Sequence, residues 1–474
     1  MPTTHALELP EVLSAVARYL SRDNLAVCVR VSRLWHQSFL SHLWSNLRVE
    51  QRWYCPPFET IAENRHYVKT LYTEVDLVGK NNPAQPLQFP NLKELSVRLP
   101  ISSKLMTMFL RPSLTRLELL NASALSTTRF WKAVLELHDL KEFRADFLEC
   151  DYDSMNLFWS VCARVECLSL NTLQVFHTRD LTAMTFPRIR ELTLNSSGSP
   201  DLNVMRRCPN LESLIWTPSD PKAWRKCLQY VVEGLWPNLS DLQLMSNGPS
   251  DADLERALLA MKKITSLQLD GFGPRCLRAV CPHFATLKRL VLHDCKDPDK
   301  TMAQEILTHC PMLEELRGLR ADAEKIAQGD PWVCSNLRSL RIPIDFEPGT
   351  NERLQPLVIA QLLRLTKLET LCLDCPPVID GRCQYNQYNL LVVPFQEALD
   401  LRLGKGLEKL SSLRWLRQFY FRHTLQRMGK EEVEWMIENW KQLKVIKGSF
   451  NDDPDGTMNL ETLVRAHRIN IFVY

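Results

Sequence analysis

From about residue 64 onward the apolar residues recur in one phrase: an apolar residue, two variable positions, an apolar residue, one variable position, an apolar residue. It stands as NLKELSV (91–97), SLTRLEL (113–119), DLKEFRA (139–145), RVECLSL (164–170), RIRELTL (188–194), NLESLIW (210–216) and NLSDLQL (238–244). It continues as KITSLQL, TLKRLVL, MLEELRG, NLRSLRI, KLETLCL, SLRWLRQ and QLKVIKG, with a weaker forerunner, YVKTLYT. The leading residues are Val68, Leu92, Leu114, Leu140, Val165, Ile189, Leu211, Leu239, Ile264, Leu287, Leu313, Leu337, Leu368, Leu413 and Leu443. Most intervals are 22 to 28 residues, and three late ones are 31, 45 and 30. Alternate residues of an extended chain share a side, so each phrase predicts a strand with one buried face. Apolar residues between the phrases fall at helical spacing over 128–137, 251–262, 299–309 and 430–440. The last two of these carry acidic residues in their first turn, Asp299 and Glu431-Glu432, which suit a helix N-terminus. A strand and helix of this size cannot bury their faces alone, so the coils are expected to stack around one core. The expected fold is α/β, a curved solenoid with strands concave and helices convex, carrying an insertion at 374–412 around Pro376-Pro377 and Gly404 to Gly406.

Residues 7–47 break this phrase and read as three short helices. Pro10 suits a first helical position; Leu13, Val16 and Leu20 share one face; Asp23 is the expected cap of a second helix carrying Leu25 and Cys28; Leu34, Trp35, Phe39 and Leu43 lie on a third. Several apolar faces compete for little interior, and a helical unit of about 40 residues sits at the lower size limit for stability without metal, disulfide or partner. The expected organisation is a flexible 1–6, a helical 7–49 and repeats over 50–474.

Two resemblances follow. The repeat block resembles the leucine-rich repeat family of the intracellular cysteine-containing type, with Cys208-Pro209, Cys281-Pro282 and Cys310-Pro311 ahead of strands and Cys295 in the turn after one. The N-terminal unit resembles an F-box through Leu9-Pro10, Tyr19-Leu20, Asp23-x-Leu25, Cys28, Val31-Ser32-Arg33, Trp35 and Leu43-Trp44. That resemblance implies the non-catalytic substrate receptor of a cullin-based ubiquitin ligase. Leu9, Pro10, Leu13, Val16, Leu20, Leu25, Cys28, Val31 and Trp35 would dock a Skp-type adaptor, and through it a cullin scaffold, while the repeats hold a protein substrate. The plainer reading of the same residues is a helical cap on the first repeat. A second reading of the whole chain is a repeat scaffold or inhibitor acting without ubiquitin.

Composition narrows the chemistry. The 474 residues hold 58 Lys and Arg against 55 Asp and Glu, so nothing draws the whole chain to nucleic acid or to an anionic membrane. Glu8, Pro10 and Glu11 interrupt what an export signal would need, no apolar run is long enough for a membrane span, and the 15 Cys in a long chain read as reduced thiols. The expected location is cytoplasm, nucleus or both. No phosphate-binding glycine loop, zinc-protease helix or nucleophile elbow occurs, so neither cofactor, metal nor catalysis is expected. Cys372 and Cys375 form a lone C-x-x-C near Cys383, read as free thiols beside a loop for want of a fourth ligand. His293-Asp294-Cys295 has nucleophilic residue types, but adjacent residues of a strand point to opposite faces.

The residue between the last two apolar places of each phrase is expected to project from the concave strands. The earlier copies give Ser96, Glu118, Arg144, Ser169, Thr193, Ile215, Gln243 and Gln268, a neutral mixture. The later ones give Val291, Arg317, Arg341, Cys372, Arg417 and Lys447, with Trp415 and Phe419 beside Arg417. Arg317, Arg341, Trp415, Arg417 and Lys447 are therefore the expected contacts for an acidic or phosphorylated protein segment. The alternative is a solvated face offset by Glu314, Glu315, Glu369 and Asp374.

Overall fold

A computed structural model describes residues 9–50, 56–74, 87–98, 106, 109–121, 127–147, 149–150, 152–171, 174–175, 184–195, 200–218, 221–245, 250–293, 295, 300–374, 384–385, 391–392, 398–422, 424, 426–451 and 454–472. The chain divides into two compact units, Met1–Ala223 and Trp224–Tyr474.

The first unit opens on three helices, α1 (Pro10–Ala17), α2 (Arg22–Cys28) and α3 (Arg33–Ser45). Pro10 starts α1 as expected, but α2 begins two residues earlier than Asp23 would place it. Ser21 is the cap, its hydroxyl accepting the Asn24 amide at 3.3 Å, and Asp23 falls in the first turn. Ser32 caps α3 in the same way, accepting from the Trp35 amide at 3.2 Å. A short side-chain acceptor outside the first turn satisfies amides that no helical carbonyl can reach, which fixes both helix starts. Asn46–Val49 then leaves α3 directly and pairs in parallel with Thr70–Thr73, so the sheet begins inside the segment assigned to the helices from sequence. Parallel pairing continues through Glu94–Arg98, Arg116–Leu120, Glu142–Asp146, Cys167–Asn171, Glu191–Asn195 and Ser213–Trp216. Along these strands buried leucine or its equivalent alternates with half-exposed or exposed residues. Behind the strands, Trp131, Phe143, Phe158, Trp159 and Phe186 form a chain of ring contacts, with Trp131 edge-on to Phe158 at 5.1 Å.

In the second unit the ladder runs Asp241–Leu244, Ser266–Asp270, Arg289–His293, Glu315–Arg317, Ser339–Arg341, Thr370–Cys372, Gln418–Tyr420, Val445–Lys447 and Asn470–Phe472, every pair parallel. Helices occupy Asp251–Ala260, Met302–His309 and Lys430–Asn439, close to the expected spans. Among the described residues of the long parallel sheet, two strands, Asn46–Val49 and Asn470–Phe472, have no counterpart among the sequence phrases.

One phrase lies in a different frame from the one the sequence suggests. The phrase SLRWLRQ places its leading residue at Leu413, but Leu371 pairs with Phe419 and Cys372 with Tyr420, so the copy starts at Leu416 and reads Leu416, Phe419, Tyr420, Phe421. Leu413 instead closes a 3₁₀ turn, Leu407–Ser412, whose Leu407 and Leu410 are buried. The expected insertion is accordingly part core. Ala398, Leu399 and Leu401 are buried, and the side chain of Gln355 clasps the segment, donating to the Asp400 and Lys405 carbonyls at 2.8 and 2.6 Å and accepting from the Asp400 amide at 2.9 Å.

Candidate functional site

Two surfaces follow from this arrangement. The first belongs to the helices. Leu13, Ala17, Leu25 and Phe39 make their core, with Leu20, Cys28, Val29, Leu34, Trp35 and Leu43 packed partly against it. Leu13 at 0 % exposure and Leu25 at 6 % are used up inside the unit, while Leu20, Cys28 and Trp35 are half-buried at its margin. Of the expected docking residues, Leu9, Pro10, Val16 and Val31 face solvent. Tyr19 (90 % exposed) and Val27 (65 %) join them, though neither was among the docking residues expected from sequence. The signal was present for Val27, which lies four positions before Val31. Ser14 Oγ and His42 Nε2, 2.9 Å apart, tie α1 to α3. Burial, then Arg18 and Lys69, holds His42 below its ordinary value, so the ring stays neutral.

The second surface is the solvent-side row of the repeat sheet, one residue per strand. In the first unit the register aligns Arg48, Tyr72, Ser96, Glu118, Arg144, Ser169, Thr193 and Ile215. Its cations are satisfied locally: Arg48 lies over the Tyr72 ring at 5.0 Å and 3.3 Å from Glu50, and Arg144 is 2.7 Å from Glu142. The Tyr72 hydroxyl donates to Glu74 at 2.7 Å, and burial together with that carboxylate raises its pKa.

In the second unit the row is Gln243, Gln268, Val291, Arg317, Arg341, Cys372, Tyr420, Lys447 and Phe472. Val291 is buried and offers nothing to solvent. Arg417 is not in the row. It stands just before its strand, 3.3 Å from Glu369, and Arg338 reaches the same carboxylate at 3.1 Å. Phe419 is fully buried, and Trp415 is exposed ahead of the strand. Tyr420 takes the place expected for Arg417, with the Arg341 guanidinium 5.8 Å and the Lys447 ammonium 5.3 Å from its ring centre. Lys447 also lies 4.9 Å from the Phe472 ring. Cations held over ring faces are attracted by the ring quadrupole and keep a fixed place. The Tyr420 hydroxyl donates to Gln418 Oε1 at 2.8 Å, and burial foremost raises its pKa. Cys372, between Arg341 and Tyr420, is a thiol, its pKa pushed up to about 12 by burial first and then by Asp374.

Arg317, Arg341 and Lys447 make no ion pair among the described residues, whereas neighbouring arginines off the row do: Arg289 with Glu315 at 2.9 Å and Arg422 with Asp374 at 2.7 Å. Arg341 Nε and Ser339 Oγ, two residues apart on one face of one strand, are buried without hydrogen-bond partners. Cys375 and Cys383 of the cysteine-rich stretch and Asp294 lie outside the described residues. Among the described residues no group of three His, Cys, Asp or Glu is placed to hold a metal, and no helix is long and apolar enough to cross a membrane. A polar cavity of about 360 Å³ beside Gln355 is lined by Glu352, Asp400 and Glu408 and by Arg402, Lys405 and Lys409, so its charges offset one another.

Together these features define a leucine-rich-repeat fold of the α/β type with a three-helix N-terminal unit. No family model matches the sequence, and no curated protein matches it. Among solved structures the chain is similar to a crystal structure of the Rad7 and Elc1 complex in yeast, at 14 % identity over 98 % of this chain and 92 % of that one, with a TM-score of 0.44. It is also similar to a TLR13–ssRNA13 complex, at 14 % identity over 85 % of this chain and 58 % of that one, with a TM-score of 0.33.

Proposed function

We propose that this protein is a non-catalytic substrate receptor of a ubiquitin ligase. Its helical unit docks a Skp-type adaptor, which brings a cullin scaffold, and its repeat sheet holds a protein substrate near the conjugating machinery by proximity. The observation that carries the reading is the exposure of Val16, Tyr19, Val27 and Val31 on a unit whose own core is only Leu13, Ala17, Leu25 and Phe39. Large apolar residues gathered on so small a unit mark an interaction site. Covering each contributes up to about 1.5–3 kcal/mol gross, enough together to offset the several kcal/mol lost on association.

Co-expression with a Skp-type adaptor tests it. Wild type is expected to co-purify with the adaptor, and Val27→Asp with Val31→Asp to lose it while circular dichroism stays unchanged, because a buried unpaired carboxylate costs several kcal/mol. Leu13→Asp is the contrasting variant, expected to unfold the helices themselves. Undiminished co-purification of the Val27/Val31 double variant would remove these residues from the interface. Absence of any adaptor from the wild type would favour the scaffold reading.

A further inference from the structure

We infer that the row from Arg317 to Phe472 reads an extended acidic segment of a partner protein, with two anionic side chains four residues apart and an apolar one midway. The inference rests on the receptor reading and names the substrate class of that surface.

The charge bookkeeping separates this stretch from the rest of the sheet. In the first unit, Arg48 and Arg144 of the row have carboxylates within 3.3 and 2.7 Å. In the second unit the flanking arginines 289, 338, 417 and 422 are likewise paired. Among the described residues Arg317, Arg341 and Lys447 are left over, and aromatic rings rather than acids hold two of them in place. A ring fixes a cation without neutralising it, so the charge stays available to an incoming group. Arg341 Nε and Ser339 Oγ add a specific demand. Both are buried and unpartnered, both can donate, and they lie on one face of one strand. Sealed from solvent as they are, they come within reach only if the guanidinium turns toward an incoming carboxylate or phosphate, whose charge-assisted hydrogen bonds to the terminal amino groups of Arg341 need no such turn.

The spacing follows from the register. Arg341, Cys372, Tyr420 and Lys447 are consecutive partners across four strands. Three strand-to-strand steps of about 4.8 Å separate Arg341 from Lys447, roughly 14 Å in all. An extended peptide crossing the strands advances about 3.4 Å per residue, so groups meeting Arg341 and Lys447 stand four residues apart. Positions i, i+2 and i+4 of such a peptide share a face. Residue i+2 therefore falls over Cys372 and the Tyr420 ring, whose hydroxyl is already committed to Gln418. An apolar side chain suits that place.

Fluorescence anisotropy on the full-length chain tests this with labelled synthetic peptides. One carries Glu at i and i+4 with Leu at i+2; others carry phosphoserine in place of Glu, Gln in place of Glu, or the acids at i and i+2; an oligouridylate is the nucleic-acid arm. The i, i+4 acidic peptide is expected to bind at least about tenfold more tightly than the Gln and i, i+2 peptides, and to weaken as salt rises from about 50 to about 300 mM. The phosphoserine arm reads whether the anion is phosphate or carboxylate. Arg341→Glu with Lys447→Glu is expected to lose at least about tenfold in affinity. Tyr420→Leu loses several-fold and Tyr420→Phe retains binding, as a ring-held cation requires. Arg341→Gln guards against a folding defect and is expected to move affinity in the same direction. Arg417→Glu, off the row, leaves affinity unchanged. Equal binding of the Gln peptide, equal loss on Arg417→Glu, or an oligouridylate that binds as tightly as the acidic peptide overturns the inference. Adaptor co-purification, read in parallel, keeps the two claims apart: peptide binding without adaptor overturns the receptor reading alone, and adaptor binding without peptide selectivity overturns this inference alone.

Discussion

Gly318→Ala isolates how tightly the repeat ladder is built beside the row. Gly318 follows the strand Glu315–Arg317 with φ +89°, and its amide donates to the Arg341 carbonyl at 3.2 Å. A Cβ there would stand 1.7 Å from the Leu292 carbonyl oxygen and 2.7 Å from its carbon. The obstacle is backbone in the neighbouring strand, which cannot swing aside like the end of a side chain. The positive φ alone costs an L-residue about 1–2 kcal/mol. The overlap forces the strands apart by more than 1 Å or breaks the Gly318–Arg341 bond, which brings the total to about 3–5 kcal/mol. Gly349 supplies the control, with φ +79° and nothing within 4 Å of its Cβ position, so Gly349→Ala carries the dihedral cost without the clash. Urea unfolding followed by tryptophan fluorescence reads both. With a slope of about 3 kcal/mol per molar, Gly318→Ala is expected to lower the midpoint by about 1–1.7 M and Gly349→Ala by about 0.3–0.6 M. Equal shifts in the two variants would refute the steric argument. Peptide affinity retained in Gly318→Ala would show that the Arg317–Arg341 register is not needed for the row.

Three further outcomes follow from single contacts. Ser250 accepts the Asp253 amide at 3.2 Å and donates to Asp253 Oδ2 at 2.8 Å, so Ser250→Ala should cost about 1 kcal/mol at neutral pH, measured by urea unfolding. That Ser250 hydrogen bond, with Arg256 and Arg225, lowers the Asp253 pKa; its stabilisation is present above the ordinary carboxylate range and is lost as pH falls through the depressed value, so the wild-type advantage over Ser250→Ala should narrow in acid. Gln304 accepts from Trp332 Nε1 at 2.8 Å and donates to the Asp330 carbonyl at 2.9 Å, so Gln304→Leu should cost about 2–3 kcal/mol by orphaning a buried indole donor, again read as a lower urea midpoint. Burial pushes the Cys208 and Cys334 thiols up to about 12 and Cys227 higher than its ordinary value as well, so a thiol reagent at pH 8 should label these three only after denaturant is added, as peptide mapping would show.

How far the chain could be read in advance varies by element. Strands such as Glu94–Arg98 and Ser266–Asp270 were legible because leucines at fixed offsets leave one frame open, and Pro10 marked a helix start by simple backbone chemistry, whereas the caps Ser21 and Ser32 emerge only from the structure. Arg417 was misplaced because Leu413, Leu416 and Phe419 follow one another at intervals of three, which offers two overlapping frames. The frame on Leu413 ends on Gln418, a polar residue in the last apolar place, whereas the frame on Leu416 ends on Phe421; that contrast was the available signal. Tyr420 was missed for the same reason, whereas Phe472 was missed because its strand, Asn470–Phe472, carries no copy of the phrase. Leu13 and Leu25 illustrate another limit. Apolar spacing shows that a helix has a buried face and leaves open whether its own neighbours or a partner do the burying, which here they share with Phe39.

The direct passage from α3 into the sheet has a mechanical consequence. Ser45, the last helical residue, offers its carbonyl to the Lys69 amide at 2.9 Å, so the helix end is also the first rung of the strand pairing that starts at Asn46. No slack separates the two. A load applied to the helices is carried into the first strand as through a welded joint, and whatever grips the helices is held at a set angle to the nearest strands of that unit. One residue inserted between Ser45 and Asn46 would turn Leu47 and Val49 outward and Arg48 inward, because strand side chains alternate. The helical unit therefore cannot be exchanged as an independent cassette at this point; a graft has to include the strand it feeds.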